Sequence, residues 1–339
     1  MTVLLTGAGG FLGGRIASSL LAAGIGPLRL QYRHGRPALL DEPGAAGASI
    51  EGVAANLLHR AALTPLLEGV DCVVHAAAGM KGAAADMFLN TVLATRNLLD
   101  AAVAAGVRRI VLISSFAVYQ SGALARGAVL DESCPLEPSG VEKGAYGFAK
   151  TRQESLFRDY AERHGFEGVV LRPGVIYGPG GSALSPRVGI KAFGRFFSLG
   201  GGAALPLTYV ENCADAVAMA AQRGAPGAAY SVVDDDLPTC RQYLQEYCRH
   251  VERLRIIPVP YPALLLGARM MQRYTRRSLG QLPAILTPYT VRSMFRPLRY
   301  SNAALRSLGW KQRVPTAEGI RITMAALADE VRTVGGRAA

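Results

Sequence analysis

The start of the chain constrains the fold most strongly, because a short strand, a glycine-rich turn and an amphipathic helix follow one another there. Residues 3–6 have a buried-strand pattern, Gly7, Gly10 and Gly13 follow, and residues 12–23 have a helical pattern. Glycine lets the backbone approach a pyrophosphate, and a helix N-terminus presents free N–H groups and a positive dipole end. A tight turn with packing glycines is the alternative, and the flanking strand and helix disfavour it. The segment predicts a Rossmann domain that binds a dinucleotide.

Strand and helix patterns alternate along the first 175 residues. Each strand is a short, nearly continuous apolar run, as expected for parallel strands that are buried on both faces. Right-handed crossovers then produce a doubly wound parallel sheet of the α/β class. The predicted strands after the first are 28–33, 49–53, 72–75, 109–114 and 168–172, and the predicted helices are 61–67, 87–105 and 145–164.

This alternation breaks after Tyr177, where residues 178–181 form a Gly/Pro turn cluster. A strand at 205–210, a helix at 213–222 and a strand at 230–233 follow, and the pattern is helical from Leu237 onward. We therefore predict a Rossmann domain at 1–176 to which 205–235 return, and a smaller, mostly helical substrate-binding lobe made of 177–204 and 236–335.

The formal net charge of the 339-residue chain is +12, which allows nucleic acid, an anionic membrane or only a solvated basic surface. No basic stretch is interleaved with aromatic residues, so nucleic acid is not expected. The densest basic stretch, 269–277, follows the apolar run 261–266. This segment is either an amphipathic helix in peripheral contact with a membrane or a helix that covers the substrate lobe.

The five cysteines are scattered without paired spacing, which is typical of reduced thiols in a cytoplasmic protein. No CxxC motif or His/Cys cluster is present, so no metal site is predicted. No apolar run approaches the roughly 20 residues that span a bilayer. A strand that starts at Thr2 leaves no room for a signal peptide.

The end of the second strand carries a cue to cofactor preference. An acidic residue there would hold the adenosine ribose hydroxyls, but residues 30–36 contain none. Arg33 and Arg36 can pair instead with a 2′-phosphate, although both can also be ordinary exposed arginines. The segment favours NADP over NAD as the cofactor.

Tyr146 and Lys150 lie one helical turn apart, and therefore on the same face of the predicted helix. A nearby cation stabilises a phenolate and brings the pKa of a tyrosine toward the range needed for acid–base catalysis. Ser114 and Ser115 end the preceding strand at its carboxyl edge, where ligands of such sheets bind. One of their hydroxyls can bond a substrate oxygen.

Six segments together resemble the extended short-chain dehydrogenases/reductases of the NAD-dependent epimerase/dehydratase superfamily. The resemblance spans nearly the whole chain and implies that Ser115, Tyr146 and Lys150 are catalytic, with Lys150 also able to bond the nicotinamide ribose. The segments are TGAGGFLG (6–13), VDCVVHAAA (70–78), NTVLATRNLLDAA (90–102), VLISSFAVY (111–119), YGFAK (146–150) and LRPGVIYGPG (171–180).

The same resemblance implies a set of cofactor contacts. Asn56 stands where the family usually has an aspartate near the adenine, His75 is expected to pack only, and Asn90 lies near the site. Pro173 to Ile176 match the strand end that borders the nicotinamide. The full predicted cofactor set is Gly7, Gly10, Phe11, Leu12, Gly13, Arg33, Arg36, Asn56, Leu57, Ala76, Ala77, Asn90, Ser114, Tyr146, Lys150, Pro173, Val175 and Ile176.

At two places the chain departs from the sequence pattern of other branches of this superfamily, and these differences indicate which branch it resembles. Dehydratases of this family carry an Asp-Glu pair after the catalytic Ser/Thr, where this chain has Phe116 and Ala117. Sugar-nucleotide enzymes often have an arginine that grips a diphosphate at the position of Leu205, although Arg187 or Arg195 can replace it. Segments 209–212, 286–289, 300–302 and 308–310 resemble the 3β-hydroxysteroid dehydrogenase and dihydroflavonol reductase branch.

The resemblance therefore implies an NAD(P)-dependent oxidoreductase that interconverts a secondary alcohol and a ketone on an apolar or cyclic small molecule. Phe116 and Arg187 are candidate substrate contacts, and Phe193, Phe196 and Phe197 either line an apolar pocket or belong to the core. The alternatives are a sugar-nucleotide 4-epimerase with tightly bound NAD and a non-catalytic NAD(P)-sensing regulator. The family also suggests a homodimer built through the helices at 87–105 and 145–164.

Overall fold

The computed structural model describes residues 1–42, 49–277 and 286–335. The predicted lobe segment 236–335 thus contains residues 278–285, which lie outside the described residues. The strands are β1 (Val3–Thr6), β2 (Leu28–Tyr32), β3 (Ile50–Ala54), β4 (Cys72–His75), β5 (Arg109–Ile113), β6 (Val129–Leu130), β7 (Glu167–Pro173), β8 (Val175–Tyr177), β9 (Gly189–Ala192), β10 (Arg195–Ser198), β11 (Leu207–Tyr209), β12 (Ala229–Val232), β13 (Ile256–Pro258) and β14 (Arg299–Tyr300).

The helices begin with α1, which follows the glycine turn directly. Between α3 and α4, residues Leu89–Leu93 form a π-helical turn, so the predicted helix at 87–105 is divided into three parts. The helices are α1 (Phe11–Ala22), α2 (Leu63–Leu67), α3 (Ala84–Phe88), α4 (Ala94–Ala104), α5 (Gly144–His164), α6 (Val210–Arg223), α7 (Cys240–His250), α8 (Tyr261–Arg277), α9 (Pro288–Phe295), α10 (Ala303–Ser307) and α11 (Thr316–Gly335).

Seven parallel strands form the main sheet in the order β12-β7-β5-β4-β1-β2-β3. The predicted doubly wound parallel sheet is therefore confirmed. Successive strands proceed outward from β1 in one direction and from β4 in the other. The carboxyl ends of β1 and β4 thus flank the switch point, where ligands of such sheets bind.

Successive side chains of a strand point to opposite faces of the sheet, and they form the two hydrophobic layers of the core. Val3 and Leu5 pack on the face covered by α1 and α6, whereas Leu4 packs on the face covered by α2, α4 and α5. Cys72 packs on the face covered by α1 and α6, and Val73 packs on the opposite face. The central strands β1 and β4 are therefore buried on both faces, as predicted, whereas the edge strand β3, which was predicted to be buried as well, has no buried residue.

The later part of the chain contains strands that the sequence pattern did not predict. β9 and β10 form an antiparallel hairpin, and β13 pairs with β10 in parallel. Each strand is only three or four residues long, which is too short for an alternating pattern to stand out from the sequence. β12 joins the main sheet beside β7, while β11 pairs separately with β8.

The smaller lobe is otherwise helical, and it packs through two apolar clusters. One cluster joins α7 and α11 to β11, and the other joins α8 and α9 to the hairpin through residues such as Leu264, Val291 and Phe197. Among the residues that the structure describes, no helix is long and apolar enough to cross a membrane.

Candidate active site

A cleft of about 1180 Å³ lies at the carboxyl ends of the main strands, between the sheet and the smaller lobe. It brings together most of the residues predicted to form a site, although they come from widely separated segments. The predicted residues that line it are Gly7, Gly10, Phe11, Leu12, Gly13, Arg33, Asn56, Leu57, Ala76, Ala77, Asn90, Ser114, Ser115, Phe116, Tyr146, Lys150, Val175, Ile176 and Arg187.

The glycine turn leaves no room for side chains between β1 and α1. Gly7 has a φ of +72°, and a Cβ on Gly13 would lie 2.1 Å from the Gly7 carbonyl oxygen. A Cβ on Gly9 would lie 1.9 Å from the Gly35 carbonyl oxygen, a constraint that the spacing of the glycines did not predict. The turn therefore consists of backbone without side chains, and a ligand can approach this backbone next to the first turn of α1.

The N-terminus of α1 fits a pyrophosphate. Gly10 caps this helix without a side-chain hydrogen bond, and the first turn contains no acidic residue. The first N–H groups are thus left for a ligand, and the helix dipole favours an anion. Gly7, Gly10 and Gly13 would hold the pyrophosphate of a bound dinucleotide at this place.

Gln31 supports the turn from β2 and was not predicted. The Gly7 N–H donates to Gln31 Oε1 over 3.0 Å, and Gln31 Nε2 donates to the Ala55 carbonyl over 2.6 Å. Gln31 is buried, so both bonds are shielded from water. The sequence signal was a single amide in a strand whose other polar residue is Arg29.

The two arginines after β2 occupy different places. Arg33 lines the cleft, and its Nη1 donates to Asn90 Oδ1 over 2.5 Å. Asn90 belongs to the π-helical turn, and its Nδ2 donates to the Asp86 carbonyl over 2.8 Å. Arg36 does not line the cleft and pairs with Asp41 over 3.1 Å on the exposed surface, so Arg33 alone of the two faces the cofactor region.

Ser115 and Tyr146 both line the cleft. Ser115 follows β5 and caps a short turn, because its Oγ accepts from the Ala117 N–H over 3.2 Å. Burial raises the pKa of Tyr146, while a hydrogen bond with Ser115 lowers it. The net shift is upward, so the phenol keeps its proton at neutral pH.

Lys150 is buried one turn further along α5. Its Nζ donates to the Ile113 carbonyl over 2.8 Å and to Gln153 Oε1 over 2.9 Å, which leaves a third N–H available. Burial lowers the pKa of Lys150 to about 8, against the opposing influence of Glu154. Lys150 is thus held rigidly at the edge of the cleft.

A second serine, Ser114, has a different partner from Ser115. Its hydroxyl donates to Glu154 over 2.6 Å, and Glu154 forms a buried ion pair with Arg172 over 2.6 Å. Burial alone would raise the pKa of Glu154, but Arg172 and Ser114 lower it. Ser114 therefore anchors the end of β5 with its hydroxyl, and Ser115 remains free to face the cleft.

His75 lies at the end of β4 in a buried network below Lys150. Thr95 donates its one proton to the Thr91 carbonyl, so it must accept from Nε2 of His75. Nδ1 then accepts from the Thr6 hydroxyl over 2.7 Å. Burial, and secondarily the charge of Lys150, lowers the pKa of His75 to about 3.

Neutral His75 makes folding sensitive to acid. Its pKa is lowered in the folded protein, so the unfolded chain binds the extra proton as pH falls below about 6.5. Stability should therefore decrease from pH 6.5 toward pH 3, by about 2 kcal/mol between pH 6.5 and 4.5 from this group. Denaturant unfolding at several pH values measures this slope.

His75→Asn should flatten that slope whatever it costs at neutral pH. The control is His59→Asn, which removes an exposed histidine and should preserve the slope. Equal slopes in the wild type and the His75 variant would rule out this contribution.

Five predicted residues do not reach the cleft. Pro173 and Arg36 lie outside its lining, and Phe193 is 95% exposed at the tip of the β9–β10 hairpin. Phe196 is buried in the lobe core, and Phe197 packs against the α8–α9 cluster, because adjacent residues of a strand point to opposite faces. Phe196 and Phe197 therefore belong to the core and not to an apolar substrate pocket. None of the three phenylalanines lines the cleft.

Arg187 and Lys143 are the cations on the substrate side of the cleft. Arg187 Nη1 donates to the Met294 carbonyl over 3.0 Å, and Arg187 has no carboxylate within 4.0 Å among the described residues. Lys143, which was not predicted, donates to the Tyr119 carbonyl over 2.9 Å and pairs with Glu137 over 3.4 Å. Burial lowers the pKa of Lys143 to about 8.

Known proteins are similar to this chain in sequence and in fold. A family model described as the NAD dependent epimerase/dehydratase family matches residues 3–233. The chain is 30% identical over 328 residues to the 4-hydroxy-2-methyl-3-oxo-4-farnesyl-3,4-dihydroquinoline-1-oxide ketoreductase of Stigmatella aurantiaca, which covers 94% of this chain and 95% of that protein. It is 27% identical over 340 residues to the 2-alkyl-3-oxoalkanoate reductase of Stenotrophomonas maltophilia, with 95% and 98% covered.

The fold is also similar to the crystal structure of the Thermus thermophilus UDP-glucose 4-epimerase in complex with NAD. The TM-score is 0.69 at 21% identity, over 96% of this chain and 99% of that one. Fold, site and relatives together define an NAD(P)-dependent dehydrogenase/reductase of the extended short-chain type that acts on a small molecule. The chain belongs to the NAD-dependent epimerase/dehydratase family.

Proposed function

We propose that this enzyme reduces a ketone to a secondary alcohol on an apolar or cyclic substrate. The observation that carries the proposal is that Ser115, Tyr146 and buried Lys150 line the same cleft, with Lys150 fixed by its bonds to Ile113 and Gln153. Reduction requires a proton donor at the carbonyl oxygen, and a phenol that keeps its proton at neutral pH meets this need.

Tyr146, Ser115 and Lys150 each have a separate role in the proposed reduction. When bound, the reduced cofactor NAD(P)H would supply the hydride that adds to the carbonyl carbon. Tyr146 delivers the proton to the carbonyl oxygen, and Ser115 holds that oxygen by a hydrogen bond. Lys150 keeps a positive charge near the phenol, and it has an N–H left to orient a ribose hydroxyl. No carboxylate follows Ser115, since Phe116 and Ala117 stand there, so water elimination is not part of the proposal.

The lining of the cleft supports an apolar substrate with a polar group. Phe116, Leu184 and Met294 supply apolar surface, and Arg187 supplies a cation without an acidic partner among the described residues. The names of the two reductase relatives each describe a 3-oxo compound with a farnesyl or alkyl group. We propose that Phe116 and Arg187 contact a substrate of this class.

NADP is the proposed preferred cofactor, because Arg33 faces the region beyond β2. Arg33→Gln should weaken NADPH binding about tenfold or more, the value of one lost charge-assisted hydrogen bond, and should leave NADH binding nearly unchanged. The matched control is Arg36→Gln, since Arg36 is paired with Asp41 outside the cleft. Fluorescence titration measures both cofactors, and tighter NADH binding by the wild type would overturn the preference.

Sugar-nucleotide 4-epimerisation is less well supported. Leu205, at the position where such enzymes often carry a diphosphate-binding arginine, is fully buried in the lobe core. A regulator that only senses NAD(P) would not need Ser115, Tyr146 and Lys150 together in one cleft.

Cofactor oxidation with a panel of ketones tests the proposed function. The panel pairs alkyl and cyclic 3-oxo compounds with sugar nucleotides, and NADPH and NADH are each supplied. We expect NADPH oxidation with the apolar ketones. Isomerisation of a sugar nucleotide without added cofactor would establish the epimerase instead, and tight NADPH binding without any turnover would favour the regulator.

We also propose homodimerisation through the segments 87–105 and 145–164, which correspond to the end of α3, the π-helical turn and α4 on one side and α5 on the other. Phe88 stacks on Phe148 at a centroid distance of 6.0 Å, and both Phe88 and Leu89 stay partly exposed beside α5. Multi-angle light scattering on purified protein would reject the dimer if it gave the mass of one chain.

A further inference from the structure

Helix α8 has an inner face that belongs to the lobe and an outer face that packs against nothing described. Leu264 and Ala268 are buried in the cluster that α8 forms with Val291 and Phe295 of α9. This packing holds α8 on the lobe surface and fixes which residues point outward.

The outer face carries a contiguous row of apolar side chains, which we name the α8 stripe: Leu266, Met270, Met271 and Tyr274. Their exposed fractions are 57%, 65%, 41% and 63%. Leu266, Met270 and Tyr274 are spaced by four residues and therefore lie on adjacent turns of the same face. Isolated exposed apolar residues are common, but a row of four on one helix indicates an interaction surface.

Arginines form a second row beside this stripe. Arg269, Arg273 and Arg277 are exposed and share the same four-residue spacing, one position away from Met270 and Tyr274. Helix α8 contains no aspartate or glutamate. None of these three arginines lies within 4.0 Å of a carboxylate in the described part of the chain. The charge of the row is thus left uncompensated.

We propose that α8 docks on the surface of an anionic lipid bilayer. The α8 stripe would lie at the boundary between headgroups and acyl chains, and the arginine row would bind lipid phosphates, as in interfacial amphipathic helices. Charge complementarity favours this partner over a second copy docked on the same face, because the arginine row would then meet an identical row without any acidic residue of α8 to compensate it. The surface lies outside the cleft lining, so this proposal does not depend on the proposed reaction.

Vesicle co-sedimentation tests the proposal with the full chain. Wild-type protein should bind phosphatidylcholine vesicles that contain phosphatidylglycerol, should bind pure phosphatidylcholine much more weakly, and should be released in part by high salt. Arg269→Glu/Arg273→Glu should weaken binding at least about tenfold, since each basic residue near the surface contributes roughly 1 kcal/mol. Met270→Glu/Tyr274→Glu should weaken it as well.

The matched control is Arg163→Glu/Val331→Glu, which changes one exposed arginine and one exposed apolar residue on other helices. It should bind vesicles more tightly than either α8 variant, and unchanged NADPH affinity would show that all variants are folded. The proposal is overturned if the wild type does not bind the anionic vesicles, or if the α8 variants bind as the control does. It is also overturned if Met270→Glu/Tyr274→Glu abolishes a dimer in light scattering while vesicle binding persists.

Discussion

Replacing Tyr146 by phenylalanine should lower kcat for ketone reduction by about 10²- to 10⁴-fold, the range that a positioned acid–base group contributes. The substitution removes only the phenol hydroxyl, in the cleft that Ser115 also lines. The ring, α5 and the glycine turn stay as they are, so the Kd for NADPH should change little. Steady-state kinetics and fluorescence titration on the same preparation measure the two effects separately.

Tyr160 provides a control on the same helix. Its hydroxyl donates to Asp100 over 2.7 Å, outside the cleft, so Tyr160→Phe makes the same chemical change without touching the site. It should leave kcat near the wild-type value. Turnover by Tyr146→Phe within a few-fold of wild type would remove Tyr146 from the mechanism and would leave the cofactor site as the only supported part of the assignment.

Replacing Gly13 by alanine should weaken binding of NADPH and NADH by at least about 100-fold, which corresponds to about 2.7 kcal/mol. The added Cβ would lie 2.1 Å from the Gly7 carbonyl oxygen and 2.9 Å from the Ala8 Cα. Both neighbours are backbone atoms, so the turn itself must move, and the N–H groups at the start of α1 would no longer converge on one place. Isothermal titration measures the loss.

Gly14 offers a control at the next position. A Cβ there meets only the Ala8 carbonyl oxygen, at 3.8 Å, which is an ordinary contact. Gly14→Ala should therefore keep cofactor affinity, and it should stabilise α1 by up to about 1 kcal/mol because alanine favours the helix. Equal affinities of the Gly13 and Gly14 variants would show that the tight turn is not what holds the cofactor.

The two variants separate binding from chemistry. Tyr146→Phe should bind cofactor and fail to turn over, whereas Gly13→Ala should lose both properties. If Gly13→Ala retained its affinity for the cofactor while Tyr146→Phe lost it, the glycine turn would not be the cofactor site and Tyr146 would be part of that site.

The sequence by itself determined the features that depend on local spacing. Continuous apolar runs identified the parallel strands, because strands covered on both faces have no polar side to show. The glycines at 7, 10 and 13 marked the turn because a cofactor cradle excludes Cβ atoms. The four-residue spacing of Tyr146 and Lys150 placed them on one helix face, since that spacing is one turn of an α-helix.

Only the tertiary structure decided which side chains of similar character face the cleft. Arg33 and Arg36 look alike in sequence, but Asp41 holds Arg36 on the surface. Phe196 and Phe197 point to opposite faces of a hairpin too short to be recognised in the sequence. Gln31 and Lys143 became visible only through partners tens of residues away, at Gly7 and Tyr119. The contacts of Phe196, Phe197, Gln31 and Lys143 join distant segments, whereas the Arg36–Asp41 pair joins residues five positions apart. The local periodicity of the sequence carries no record of either kind of contact.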